Sequence, residues 1–137
     1  MSVAFVLGNG LSRKPIPLEP LKQHGKVYAC NAVYRTFTPD YLVAVDAKMI
    51  NEICTADAHR RMPVWTNPNR AYKKWNGLNF FEPSLGWSSG PTALYLATQK
   101  EHQLIYILGF DFIGNQDGKL NNIYGDTPNY KKNTDVA

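Results

Sequence analysis

Short apolar runs, parted by polar and glycine-bearing stretches, set the pattern of this chain. Val3–Leu7 (VAFVL) is continuously apolar, as in a strand buried on both faces. Similar runs occur at Lys26–Cys30 (KVYAC), 41–45 (YLVAV), 62–65 (MPVW) and Leu104–Leu108 (LIYIL), the last also read as a buried strand. Residues 78–81 are compatible with a further short strand within an irregular stretch at 68–87. The intervening segments have helical character. Residues 18–23 predict a brief turn stopped at His24-Gly25, and 32–36 a short helical piece. Residues 47–56 predict a helix capped by Asp46, and SSGPTALYLATQKEH a longer one with Ser88 or Ser89 as cap and Pro91 in its first turn. From about residue 114 the chain is polar and rich in Asn and Gly, so an irregular tail is expected. Strands alternating with helices predict an α/β fold with a mainly parallel sheet, right-handed crossovers and one domain over residues 1–137.

The residues just after each predicted strand change the picture from fold to site. They are Gly8, Asn9, Gly10 and Ser12 after the first, Asn31 after the second and Asp46 after the third. Thr66 and Asn67 follow the fourth, and Gly109 and Asp111 the last. Open parallel sheets bind ligands outside the carboxyl ends of their strands. One polar residue there is ordinary turn chemistry; five ends in register favour a site.

Each motif carries two readings. Gly8-Asn9-Gly10 lets backbone approach a ligand, or makes a tight strand-to-helix turn. It is neither a dinucleotide fingerprint nor a P-loop, lacking the third glycine and the Gly-Lys-Ser/Thr. Ser88-Ser89-Gly90 offers free N–H groups and a helix dipole to an anion, or caps a helix. Asp111 accepts from a ribose or an amine, or caps a turn. Phe112 stacks on a base or fills the core.

Composition limits the classes. With 137 residues, 44% hydrophobic and 12% aromatic, the chain suits one ordered domain rather than a disordered one. Cys30 and Cys54 do not form a disulfide framework and read as buried thiols of a reducing cytosol. No run reaches the length of a membrane span and no leader pattern opens the chain, so a cytoplasmic location is expected. The net charge of +4 is scattered over Arg13-Lys14, Arg60-Arg61, Arg70, Lys73-Lys74 and Lys131-Lys132. That distribution is compatible with solvated surface, a small anionic ligand or nucleic acid. For nucleic acid, Tyr72, Trp75 and Phe80 beside Arg70, Lys73 and Lys74 would stack and neutralise. His24 ends a helical turn, His59 is expected to be exposed, and His102 precedes a strand. None has metal-ligand spacing with an acid or cysteine, so no metal site is expected.

In order and spacing, GNGLS, ACN, SSG and IYILGFDF closely resemble the bacterial sialyltransferases of glycosyltransferase family 42. They are also similar to the wider Rossmann-like proteins related to 6-hydroxymethylpterin diphosphokinase. KKNTD at 131–135 is similar to a further sialyltransferase segment, so the likeness runs from Val6 to Asp135. The resemblance implies a Rossmann-like three-layer sandwich holding a CMP-type nucleotide or nucleotide-sugar, with no metal or other cofactor required. The implied nucleotide contacts are Gly8, Asn9, Gly10, Asn31, Ser88, Ser89, Gly90, Phe110 and Asp111, to which the strand-end pattern adds Ser12. Tyr130 stands where the family has its general-base histidine. Tyr124 matches one of the two tyrosines that steady the leaving group, and Ile113 replaces the other. Asp111, Tyr124 and Tyr130 are therefore the candidate catalytic residues for metal-independent sugar transfer. The chain is much shorter than those enzymes and lacks their membrane-associating part. A compact version of this kind suits a phage or mobile-element gene, placed in the host cytoplasm or the virion. Two alternatives stand beside transfer: a catalytically inactive nucleotide-binding protein, and a structural or interaction protein such as a virion or assembly component. The latter would use the aromatic stretch at 66–87 as its contact surface, and a homo-oligomer is compatible with each.

Overall fold

The structure, a computed structural model, describes residues 2–111, 121–125 and 127–129. Six strands form one sheet: β1 (Val3–Leu7), β2 (Lys26–Cys30), β3 (Tyr41–Val43), β4 (Val64–Thr66), β5 (Asn79–Phe80) and β6 (Leu104–Leu108). Their order is β5-β4-β3-β2-β1-β6 and every pairing is parallel. Alternation along the strands sends side chains to two cores. Leu7, Val27, Ala29, Leu42 and Val64 meet helix α1 (Ala47–Thr55) on one face. Ala4, Val6, Tyr28, Val43 and Phe81 meet helix α2 (Ser89–Gln99) on the other. The result is the expected three-layer α/β domain of Rossmann-like type.

Local chemistry sets the element ends. The Asp46 carboxylate accepts from the Lys48 N–H at 3.1 Å and starts α1, whose Met49, Ile50, Ile53 and Cys54 then share one buried face. β3 ends at Val43, two residues earlier than the apolar run, because the Val45 N–H is taken by the Ser89 hydroxyl at 3.1 Å. The pieces after β1 and β2 are 3₁₀ turns, at Glu19–Gln23 and Asn31–Arg35, rather than α-helices. These connections are too short to repay helix nucleation.

Two expectations are corrected. β6 is not a buried strand: it lies at the sheet edge, with Leu104 39%, Tyr106 49% and Ile107 49% exposed. Among the described residues it bonds to β1 alone, and α2 packs over β1, β2 and β3 instead. His59 is buried rather than exposed, with its ring set edge-on to Trp75. The aromatic stretch is also partly consumed by the core: Tyr72 and Phe81 are buried and Trp75 packs against the α1 side, which leaves Phe80 and Trp87 exposed. Cys30 and Cys54 are free and buried, and burial pushes their thiols up to about 12 and about 11. No helix among the described residues is long and apolar enough to cross a membrane.

Candidate functional site

The strand order locates the crevice. From β1 the chain steps outward through β2, β3, β4 and β5, then crosses back through α2 to place β6 on the other side of β1. The direction of winding therefore reverses between β1 and β6, and the loops leaving those two strands border the switch point.

Those loops are locked together. The Gly8 N–H donates to the Leu108 carbonyl at 2.7 Å, and the Gly10 N–H to the Gly109 carbonyl at 2.8 Å. A Cβ on Gly8 would sit 2.4 Å from the Gly109 oxygen, and one on Gly10 2.4 Å from Asp111 Cγ. Glycine is thus needed at 8 and 10 for the approach of the β6 loop, a requirement internal to the chain. Gly109 itself has φ +75, which only glycine adopts without strain.

Asn9 is buried and uses both ends of its amide. Its Nδ2 donates to the Cys30 carbonyl at 3.1 Å, joining the ends of β1 and β2, and its Oδ1 accepts from Arg13 Nη2 at 2.8 Å. Ser12 donates to Asp111 twice, from its backbone N–H at 2.9 Å and its hydroxyl at 2.5 Å. The Ser12 hydroxyl is the main reason the Asp111 carboxyl is held below the usual range, so it is ionised near neutral pH. Asp111 is accordingly an acceptor, and a proton donor only in acid.

The other expected residues fall around this junction. Gly90, in the first turn of α2, faces the Phe110 ring, which a Cβ would meet at 3.4 Å. Ser89 is buried against the end of β3 through Val45. Ser88 occupies the N-cap position without a side-chain cap bond. Asn31 combines two features, of which Thr66 at the end of β4 shares the second. Asn31 takes the left-handed conformation, φ 55, and its Oδ1 is buried with no hydrogen-bond partner. Tyr124 reaches the same edge: its hydroxyl lies 3.4 Å from Arg13 Nη2, and the Ile123 N–H donates to the Asn9 carbonyl at 2.8 Å. Phe112, Ile113, Tyr130 and the segment 131–135 lie outside the described residues.

Sequence reasoning grouped Arg13 with the scattered surface charges. It is 4% exposed and sits inside the β1 loop, donating from Nε to the Gly8 carbonyl at 2.7 Å. Its signal was position alone, a cation within a loop otherwise made of small residues. A second polar node also escaped notice. Arg35 grips Glu52 through Nε at 2.9 Å and Nη2 at 2.7 Å, and Tyr34 donates to the same carboxylate. Burial raises the Glu52 carboxyl, but the bonds from Arg35, Tyr34 and Asn129 outweigh it and leave it low. Arg35 also donates to Thr127 and the Pro128 carbonyl, so this node fastens residues 127–129 to α1 beside a cavity of about 630 Å³. Among the described residues no group of three His, Cys, Asp or Glu is placed to hold a metal.

Compared with known proteins, the chain matches no family model, no curated protein and no solved structure.

Proposed function

We propose that this protein binds a nucleotide or nucleotide-sugar of CMP type at the carboxyl edge of its sheet and transfers the sugar without a metal. The observation that carries the binding half is Asn31. At the end of β2 it combines a left-handed backbone with a buried, unpartnered acceptor. An unmet buried acceptor costs about 1–3 kcal/mol, and strain of this kind concentrates where ligands bind. A hydroxyl or amino donor of a bound nucleoside would recover that cost. The transfer half rests on the resemblance, with Asp111, Tyr124 and Tyr130 as its candidate catalytic residues. Binding without chemistry is the second reading. It is favoured by the present engagement of Asp111 with Ser12 and by the Tyr124 hydroxyl beside Arg13.

A thermal-shift panel of CMP, CDP, UDP, GDP and their sugars tests binding. At a hundredfold excess over Kd a native-state ligand adds about 2.7 kcal/mol, a rise of roughly 10 °C at this chain length. Asn31→Gly removes both the strain and the orphaned acceptor. It should melt at or above the wild type yet lose most of the cytidine-nucleotide shift. An undiminished shift in Asn31→Gly sinks the assignment of Asn31. Release of CMP from the donor, as the sugar–phosphate bond breaks and the sugar passes to water or an acceptor hydroxyl, separates chemistry from binding alone.

A further inference from the structure

We propose that Arg13 is the anion-binding group of this site and seats a phosphate or pyrophosphate of the ligand; this rests on the nucleotide assignment above and names its charged contact. Arg13 as a whole is 4% exposed. A buried cation is costly to desolvate unless an opposite charge repays it. Arg13 has no such partner: the described ion pairs are Arg35–Glu52 and Arg60–Asp57. Its oxygens are neutral ones, the Gly8 carbonyl and the Asn9 amide. The nearby carboxylate of the β6 loop, Asp111, is spent on Ser12. Of the five N–H donors of a guanidinium, Nε and one on Nη2 make bonds of ordinary length. The remaining neighbour is the Tyr124 hydroxyl at 3.4 Å, longer than a good hydrogen bond.

The arrangement differs from that of Arg35, which is paired with the Glu52 carboxylate. Two fixed acceptors aim the fork from below, and they belong to the loop at the switch point. The Tyr124 hydroxyl, 3.4 Å from Nη2, stands on the side an incoming oxyanion would take. A doubly charged oxyanion there would give the cation short bonds to an opposite charge, where it now has a long contact to an uncharged hydroxyl. The class of ligand is therefore a phosphoanion at the end of a nucleoside, with Asn31 on the neutral part and Arg13 on the charged part.

Inorganic pyrophosphate, CMP and cytidine are the probes, titrated by calorimetry at constant ionic strength into wild type, Arg13→Gln and the net-charge control Arg60→Gln. The expected result is that Arg13→Gln weakens pyrophosphate and CMP by about 10–100-fold, the usual worth of a lost charged hydrogen bond, and leaves cytidine unchanged. Arg60→Gln, which removes an exposed charge outside the site, should bind pyrophosphate as wild type does. Equal pyrophosphate affinity in Arg13→Gln and wild type overturns the role of Arg13, as does a wild type that takes CMP but not pyrophosphate. Pyrophosphate binding that Arg13→Gln abolishes, with no binding of CMP or cytidine, leaves Arg13 standing and refutes the nucleotide assignment. Should Arg13→Gln fail to fold, hydrogen exchange on the wild type decides. Pyrophosphate should slow the Leu11, Ser12 and Arg13 amides at least several-fold, and no change there refutes the proposal.

Discussion

Replacing Asn9 by alanine separates a latch from a ligand contact. The side chain makes two bonds, one donated to the Cys30 carbonyl at 3.1 Å and one accepted from Arg13 at 2.8 Å. The first is neutral and contributes about 1 kcal/mol, and the second is charge-assisted and contributes about 1.5–3 kcal/mol. Both partners are buried, so neither Cys30 nor Arg13 regains water when the amide is removed. The expected loss is therefore about 2.5–4 kcal/mol. Each kcal/mol moves the melting point of a domain this size by about 3–4 °C, which gives a fall of roughly 10 °C. Thermal unfolding followed by circular dichroism, without ligand, measures it. Ser88→Ala is the internal control: Ser88 stands at the N-cap of α2 but makes no cap bond, so its loss should stay within about 0.5 kcal/mol. An Asn9→Ala protein that melts within 2 °C of wild type, to take a rough limit from the same scaling, would refute the latch and return the amide to a ligand.

Two further outcomes follow from the same edge. Gly8→Ala places a Cβ 2.4 Å from the Gly109 oxygen and should cost about 3 kcal/mol or more, while Gly86→Ala, with nothing within 4 Å, should stay within about 0.5 kcal/mol or stabilise slightly; equal melting points for the two would refute the tight β1–β6 junction. Glu52 has its folded carboxyl held below the ordinary value, so its contribution is present above that value and is lost as pH falls through the lower, folded one. Chemical denaturation between about pH 5 and pH 3 should show a shallower acid limb in Glu52→Gln than in wild type, and parallel limbs would refute the Glu52–Arg35–Tyr34 node.

The apolar runs made the parallel sheet legible, because a strand buried on both faces needs no polar alternation. Leu104–Leu108 misled for an informative reason. Its composition is that of a central strand, but its neighbour on the outer side is missing among the described residues, and composition does not reveal sheet order. His59 misled in the opposite direction. Its Ala-His-Arg-Arg context reads as solvent-facing, yet the 3₁₀ turn at Ala58–Arg60 rotates the ring toward Trp75 while Arg60 points out. The site was legible as a set of strand ends, but the sharing of work within it was not. Which side chains satisfy one another and which stay unmet depends on a β6 loop about 100 residues away in the chain from the β1 loop.

That division of work bears on chemistry. The β1 and β6 loops are satisfied almost entirely by each other: Gly8 by Leu108, Gly10 by Gly109, Ser12 by Asp111. Such a junction is a rigid floor, and rigid floors suit ligand binding because little order remains to be bought on association. Beside that junction stand the unmet acceptor of Asn31 and the charge of Arg13, which forms no ion pair among the described residues. They are bridged by Asn9, which donates to the carbonyl preceding Asn31 and accepts from Arg13. One demands a donor and the other an anion, and a nucleoside phosphate carries both on a single molecule. Under the proposed reading, a ligand with only one of these features would relieve half of the cost, so pairing them would select nucleotides over free phosphate or free nucleoside.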